Sequence, residues 1–192
     1  TTSGALVRVG DSHVGNAEGR GQFQNPVMLN GRVAWRKPLS ATDSTAAVTV
    51  TSLKDKSVTT LDSGRTSAPV LVGKMLVWAR VDSSGAFSFR AVNADTLRPV
   101  PLPALPTPDG ILYLAGSGRQ LAWTNMSYSH AYVWDVGSTT VRRYTPVDDN
   151  HAMQFIHVTD NHLAWDAAAT SSVIDLRTGA MFDTPSFVTA GH

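Results

Sequence analysis

A tryptophan closes a short apolar run four times in this chain: Arg32-Val33-Ala34-Trp35, Met75-Leu76-Val77-Trp78, Gln120-Leu121-Ala122-Trp123 and His162-Leu163-Ala164-Trp165. Successive tryptophans are 43, 45 and 42 residues apart. A strand-like run returning every ~40–50 residues fixes the size of the structural unit. It has room for four short strands and their turns, and it is too short to be a domain of its own. Units this small bury their apolar faces only against one another, so the chain is expected to fold as an array of equivalent sheets.

Each repeat divides into four strands at turn residues. In the first, Pro26-Val27-Met28-Leu29 meets Asn30-Gly31, a two-residue hairpin signal, and Arg32 to Trp35 returns. Ala46 to Leu53 and Ser57 to Leu61 complete it. The second repeat reads as 69–72, 74–81, 86–93 and 98–102, the third as 111–115, 119–124, 131–136 and 140–145. The fourth reads as 153–159, 161–166, 171–176 and 180–183. No segment keeps a helical period for more than one turn. The expectation is an all-β chain, a β-propeller of four-stranded antiparallel blades. Four complete blades over 25–64, 68–104, 110–146 and 152–184 form one domain spanning 1–192. The termini, 1–24 and 185–192, offer strands at Ala5–Val9 and Phe187–Ala190 for a composite or partial fifth blade. Left unpaired, those edges invite self-association or a partner segment.

Composition bounds the function. The net charge is +1 and no Lys/Arg run exceeds two residues, which argues against nucleic acid as a partner. There is no cysteine, so disulfides and thiolate metal sites are excluded. No apolar stretch is long enough for a membrane-spanning helix. The charged fraction is only 16%, and the sequence begins at Thr1 rather than Met. Both suit an exported protein, extracellular or periplasmic, whose leader has been removed.

Leu121-Ala122-Trp123, Tyr132-Val133-Trp134-Asp135-Val136-Gly137 and Val141-Arg142-Arg143-Tyr144-Thr145 together resemble the blade pattern of TolB-like and WD40-like bacterial β-propellers. The resemblance covers roughly residues 26–183. It departs from that pattern before the second strand, where Asn30-Gly31, Ser117-Gly118 or Asp160-Asn161 replaces Ser-Pro-Asp-Gly. The resemblance implies a binding scaffold more often than an enzyme.

Other motifs weigh less. Gly10-Asp11-Ser12-His13 matches the nucleophile block of SGNH-type esterases, but Gly15, Gly19 and Gly21 argue against the helix that must follow the serine. Gly116-Ser117-Gly118 opens a strand, whereas a phosphate-cradling loop opens a helix. Asn125-Met126-Ser127 is a glycosylation sequon in an expected loop. Trp35, Trp78, Trp123 and Trp165 are read as structural wedges, because strict recurrence is what packing of equivalent units demands. Trp134 and Tyr132 fall outside that period and share one face of their strand.

In a propeller the loops from second to third strands, and from fourth strands to the next first strand, emerge on one face. That face collects Arg36, Asp82, Tyr128, His130, Asp148, Asp149, His151 and Asp166 as candidate binding residues. Asp160 and His162 belong to the opposite hairpin, so the acid- and histidine-rich run from 148 to 166 cannot form one metal site. Neither a metal nor a cofactor is expected, and no catalytic residue is assigned. Two carboxylates ~5–10 Å apart would be needed for glycoside hydrolysis, and the inner strands Val70-Leu71-Val72 and Ile111-Leu112-Tyr113 are apolar. The expected function is a non-catalytic module that recognises a protein or glycan partner through its loops. The alternatives are a propeller glycoside hydrolase or lyase, and a structural part of a larger protein.

Overall fold

A computed structural model describes the backbone over residues 5–9, 12–17, 26–39, 45–111, 113–146, 153–166 and 170–185. Side chains are described within those spans except at 5–17, 154, 184 and 185. Among the described residues there is no helix; the chain is built of β-strands and turns. It divides into two compact units, Thr1–Pro69 with Lys74–Leu102, and Val70–Gly73 with Pro103–His192.

The first unit begins with β1 (Ala5–Val9) and β2 (Ser12–Ala17), which pair antiparallel as a two-stranded sheet. The sequence predicts β1 and assigns no strand to the glycine-rich stretch that follows. Instead that stretch carries β2, and β1 takes its partner there. Ser12 therefore opens a strand, not the helix an SGNH-type nucleophile requires. Phe187–Ala190, the other terminal segment, lies outside the described residues.

β3 (Val27–Leu29), β4 (Arg32–Pro38), β5 (Ala46–Ser52) and β6 (Val58–Thr66) follow as an antiparallel meander in that order. Asn30-Gly31 makes the β3–β4 turn, with Gly31 at φ 66° and Leu29 paired to Arg32. That left-handed geometry suits glycine. β5 is buried along all but its last residue, as a strand covered on both faces must be.

The boundary between the first two repeats differs from the sequence expectation. The fourth strand does not stop near Leu61; β6 runs on to Thr66 and leaves its own sheet. Its end pairs with β8 (Met75–Val81), Arg65 opposite Val81 and Thr66 opposite Arg80. The ladder continues with the Ser67 N–H on the Ala79 carbonyl at 2.9 Å. β7 (Val70–Val72) falls in the second unit. β8 pairs with β9 (Phe87–Asn93), but the expected fourth strand at 98–102 reduces to a single bridge between Val92 and Pro99. Two backbone bonds flank that bridge, the Asn93 N–H on the Arg98 carbonyl and the Val100 N–H on the Ala91 carbonyl, both at 2.9 Å, and Pro99, Pro101 and Pro103 confine the segment to a sheet edge.

The second unit holds two four-stranded antiparallel meanders. One is β10 (Leu114–Ser117), β11 (Gln120–Thr124), β12 (Ala131–Asp135) and β13 (Val141–Tyr144). The other is β14 (Gln154–Val158), β15 (His162–Asp166), β16 (Thr170–Asp175) and β17 (Met181–Pro185). β7 packs on β10 at Gly116, where an added Cβ would come within 2.7 Å of the Leu71 carbonyl oxygen. Val133, Met153, Ile156, Leu163, Trp165 and Ile174 belong to one buried cluster in this unit.

Trp35, Trp78, Trp123 and Trp165 are all buried, each on the second strand of its repeat. Their indole N–H groups meet different partners. Trp35 donates to Thr51 Oγ1 at 3.3 Å, Trp78 to Asp62 Oδ2 at 2.8 Å and Trp123 to the Pro106 carbonyl at 3.1 Å. The Trp165 N–H is buried with no acceptor among the described residues. Asp62 also takes the Arg80 guanidinium at 2.6 Å, so a nearly buried carboxylate joins β6 to β8 twice.

Candidate functional site

The six-residue connection from β11 to β12 is held from within. Thr124 and Ala131 form the last rung of the ladder. Beyond it the Asn125 N–H donates to the His130 carbonyl at 3.1 Å, and the His130 N–H donates to Asn125 Oδ1 at 2.9 Å. The Asn125 amide nitrogen reaches Asp109 Oδ2 at 3.1 Å, Ser127 Oγ at 2.8 Å and Ser129 Oγ at 2.9 Å. Ser127 donates to the same Asp109 oxygen at 2.7 Å, and Ser129 Oγ lies 2.7 Å from His130 Nδ1. Asn125 is 3% exposed. The sequon is therefore in a loop, as its residues suggest, but its acceptor amide is turned into the protein and fully engaged.

With Asn125 closing the hairpin, Tyr128 sits at its tip in a left-handed conformation, φ 59°. Its carbonyl accepts the Met153 N–H at 3.0 Å, which ties the tip to the start of the fourth repeat. Its ring meets Tyr113 at a centroid distance of 6.4 Å, and Tyr113 meets Phe155 at 5.2 Å. Phe155 is exposed at 38% and also has positive φ, 47°, where β14 loses register against β15 between Gln154 and His157. A bulge of this kind re-aims a side chain. Two bulky residues in a costly backbone region beside one ring mark a place where the surrounding structure over-determines the chain. Burial, and then the neighbouring Tyr128 phenol, raise the Tyr113 hydroxyl above the ordinary tyrosine range.

Tyr113 and Phe155 are absent from the sequence-derived site, where both read as ordinary apolar strand residues. The exposure of Phe155 follows from the bulge, and Tyr113 is half-buried ahead of the late start of β10 at Leu114; an apolar pattern encodes neither.

The other sequence candidates are placed individually. His130 stacks on Tyr132, with centroids 6.3 Å apart, and Tyr132 stacks on Trp123 at 5.5 Å. Tyr132 and Trp134 are buried rather than forming an exposed aromatic patch, and the Trp134 N–H donates to the Ser138 carbonyl at 2.9 Å. Asp166 ends β15 and accepts the Ser171 hydroxyl at 2.5 Å. In the first unit, Arg36 is half-buried with Nε on the Thr66 carbonyl at 2.7 Å, and burial lowers its pKa. Asp82 is exposed and organises its own turn, accepting Ser84 Oγ at 2.6 Å, Ser84 N at 2.8 Å and Ala86 N at 3.0 Å. The Ser84 hydroxyl, followed by the Ala86 N–H, holds its pKa below the usual carboxylate range. Asp148, Asp149 and His151 lie outside the described residues.

Among the described residues no three His, Asp or Glu side chains converge on a metal-sized space. His162 and Asp166 stand at opposite ends of β15. The Asp109–Ser127–Ser129–His130 chain has hydroxyl, imidazole and carboxylate, but in an order unsuited to acyl transfer. A triad has the carboxylate orient the imidazole, which in turn activates the hydroxyl. Here Asp109 holds Ser127 and Asn125, while His130 Nδ1 meets Ser129.

The described strands define an all-β chain of antiparallel meanders, and comparison with solved structures shows that its fold is of the β-propeller type. TolB from Acinetobacter baumannii matches 91% of this chain at 14% identity with a TM-score of 0.58, and this chain covers 45% of it. A puromycin-hydrolysing peptidase of Mycobacterium tuberculosis matches 84% at 15% identity and a TM-score of 0.63, with 28% of that protein covered. The WD40 repeats of RRP9 match 86% at 14% identity and a TM-score of 0.55, with 52% covered. The chain thus spans about half or less of each of these structures. At such identities the likeness is one of fold, and it includes the TolB-like and WD40-like resemblance read from the repeats. No protein-family model matches the sequence, and no curated protein matches it. Among the described residues no helix is long and apolar enough to cross a membrane.

Proposed function

We propose that the chain is a non-catalytic binding module which recognises a protein or glycan partner through the hairpin ends of its sheets. The observation that carries this reading is the Tyr113–Tyr128–Phe155 cluster. Three aromatic rings meet at the end of a rigid hairpin, one of them exposed and two set on strained backbone. Rigid aromatic residues supply contact area at low entropic cost and dominate recognition energetics. The tight internal bonding of Asn125 supports a presenting role for this hairpin, because it fixes Tyr128 before any partner arrives. His130, Arg36, Asp82 and Asp166, with Asp148, Asp149 and His151, are the further contact residues of this proposal. Four blades with a composite or partial fifth is our reading of the ring.

The test uses the purified chain against a glycan array and, as bait, against extract of its native source. Tyr128→Ala and Phe155→Ala should abolish the specific signal. Substitution of Asn161, at the opposite end of its sheet, should leave that signal intact. Loss of binding through Asn161 with both aromatic variants unimpaired overturns the reading.

A further inference from the structure

The third-repeat sheet has a second feature at the end remote from Tyr128. The turn joining β12 to β13 and the start of β11 border a cleft of about 460 Å³, lined by Arg119, Asp135, Gly137, Ser138, Thr140 and Arg142. The cleft is wide open to solvent, unlike the enclosed pockets that bury most of a small ligand. The lining is charged and hydroxyl-bearing, where most such pockets are apolar.

The two arginines differ in their state. Arg119 donates through Nε to Asp135 Oδ1 at 3.1 Å and through Nη2 to the Val136 carbonyl, so its charge is neutralised and it braces the turn. Arg142 donates through Nη1 to the Leu176 carbonyl. Among the described residues no carboxylate pairs with it, and its Nε and Nη2 donors have no protein acceptor. A guanidinium anchored through one arm by a backbone carbonyl loses little freedom on binding and keeps a planar fork for an oxyanion. Thr140 lies in the turn immediately before β13 and lines the same hollow as Arg142. Its hydroxyl is 3.0 Å from Ser138 Oγ, within a turn that is fixed by the Trp134 indole on the Ser138 carbonyl.

The geometry points to an oxyanion site in this cleft: the carboxylate or phosphate group of a small polar molecule, held by the free edge of Arg142 and the hydroxyl of Thr140. The lining carries two guanidiniums and the Asp135 carboxylate, and Asp160 Oδ1 takes the Arg119 backbone N–H at 3.2 Å, so Arg142 is the cation left for the ligand's anion. The site is separate from the aromatic cluster and stands or falls without it.

The experiment is an amide NMR titration of the full chain with inorganic phosphate, and separately with acetate, at constant ionic strength set by chloride. The amides of Gly137, Ser138 and Thr140 should shift and saturate with at least one anion. Arg142→Gln should weaken that binding about tenfold or more, the effect of one charge-assisted hydrogen bond. Arg142→Lys, which keeps the charge without the fork, should fall between. Saturation with phosphate alone assigns a phosphoryl ligand, and saturation with acetate alone a carboxylate. Shifts that do not saturate, or that persist unchanged in Arg142→Gln, mean an adventitious ion only and overturn the site. Should Arg142→Gln fail to fold, Thr140→Val decides, since it leaves the Leu176 anchor in place. A severalfold loss supports the site and unchanged binding refutes it.

Discussion

The four periodic tryptophans occupy equivalent positions but differ in what the indole N–H meets, and replacing each by phenylalanine turns that difference into a measurement. Phenylalanine keeps an aromatic ring in the same place and removes the N–H. At Trp78 the lost bond runs to the Asp62 carboxylate at 2.8 Å. A hydrogen bond to a charged group contributes about 1.5–3 kcal/mol, and the smaller ring forfeits about 1 kcal/mol of burial. Trp78→Phe should therefore cost about 2.5–4 kcal/mol. For a chain of this size each kcal/mol moves the melting point about 2–4 °C, giving a drop of roughly 5–15 °C. At Trp165 the same ring area is lost, but the N–H has no acceptor among the described residues. A buried unpaired donor costs about 1–3 kcal/mol, so its removal offsets the lost area and Trp165→Phe should fall within about 1 kcal/mol of wild type. Urea unfolding followed by far-UV circular dichroism measures both without relying on tryptophan fluorescence. If Trp165→Phe proved as destabilising as Trp78→Phe, the hydrogen-bond argument would be wrong and ring size alone would govern these positions.

Other outcomes follow from the same geometry. Gly116→Ala should destabilise the second unit by about 1–3 kcal/mol in chemical denaturation, because the obstacle is the Leu71 backbone and not a side chain that can swing away. Acid should weaken the fold at exposed turns. The pKa of Asp55 is lowered to about 2 by the hydroxyl of Ser52 and then that of Ser57, while Ser84 and Ala86 lower that of Asp82. The stabilisation from a depressed carboxylate is complete above its unfolded pKa of about 4 and is lost as pH falls through the folded value. The melting temperature should therefore decline from about pH 4 toward 2, and less steeply in a variant carrying Asp55→Asn and Asp82→Asn. A secreted form from a glycosylating host should carry no glycan on Asn125 in its folded fraction. Peptide mass spectrometry reads this directly, since a glycan would break the bonds to Asp109, Ser127 and Ser129.

What the sequence revealed follows physical lines. The tryptophan runs announce second strands because equivalent sheets need a large side chain at equivalent places, and Asn30-Gly31 announces a hairpin because few residue pairs adopt that turn. Local chemistry of this kind is legible. The end of β6 is not, because nothing in Gly64-Arg65-Thr66 distinguishes a strand that stops from one that crosses to the next sheet. The alternating prolines at 99, 101 and 103 mark an edge segment, a signal that the strand expected at 98–102 passes over. At the candidate site, Asp82 two residues before Ser84 is a self-contained turn that could have been read locally. The burial of Asn125 depends on Asp109, 16 residues away, and the display of Phe155 on a bulge; both are products of tertiary packing.

The crossing of β6 has a consequence for how such a chain can be cut or recombined. A module boundary drawn from the period alone would fall between residues 64 and 68, at the point where one strand serves two sheets. A cut there strips β8 of β6, one of its partner strands, and parts Asp62 from Trp78 and Arg80. The first two repeats should thus melt as one cooperative body, with hydrogen exchange in β4, β5 and β8 rising together. In this stretch of the chain the unit of inheritance and the unit of folding are out of phase by part of a strand.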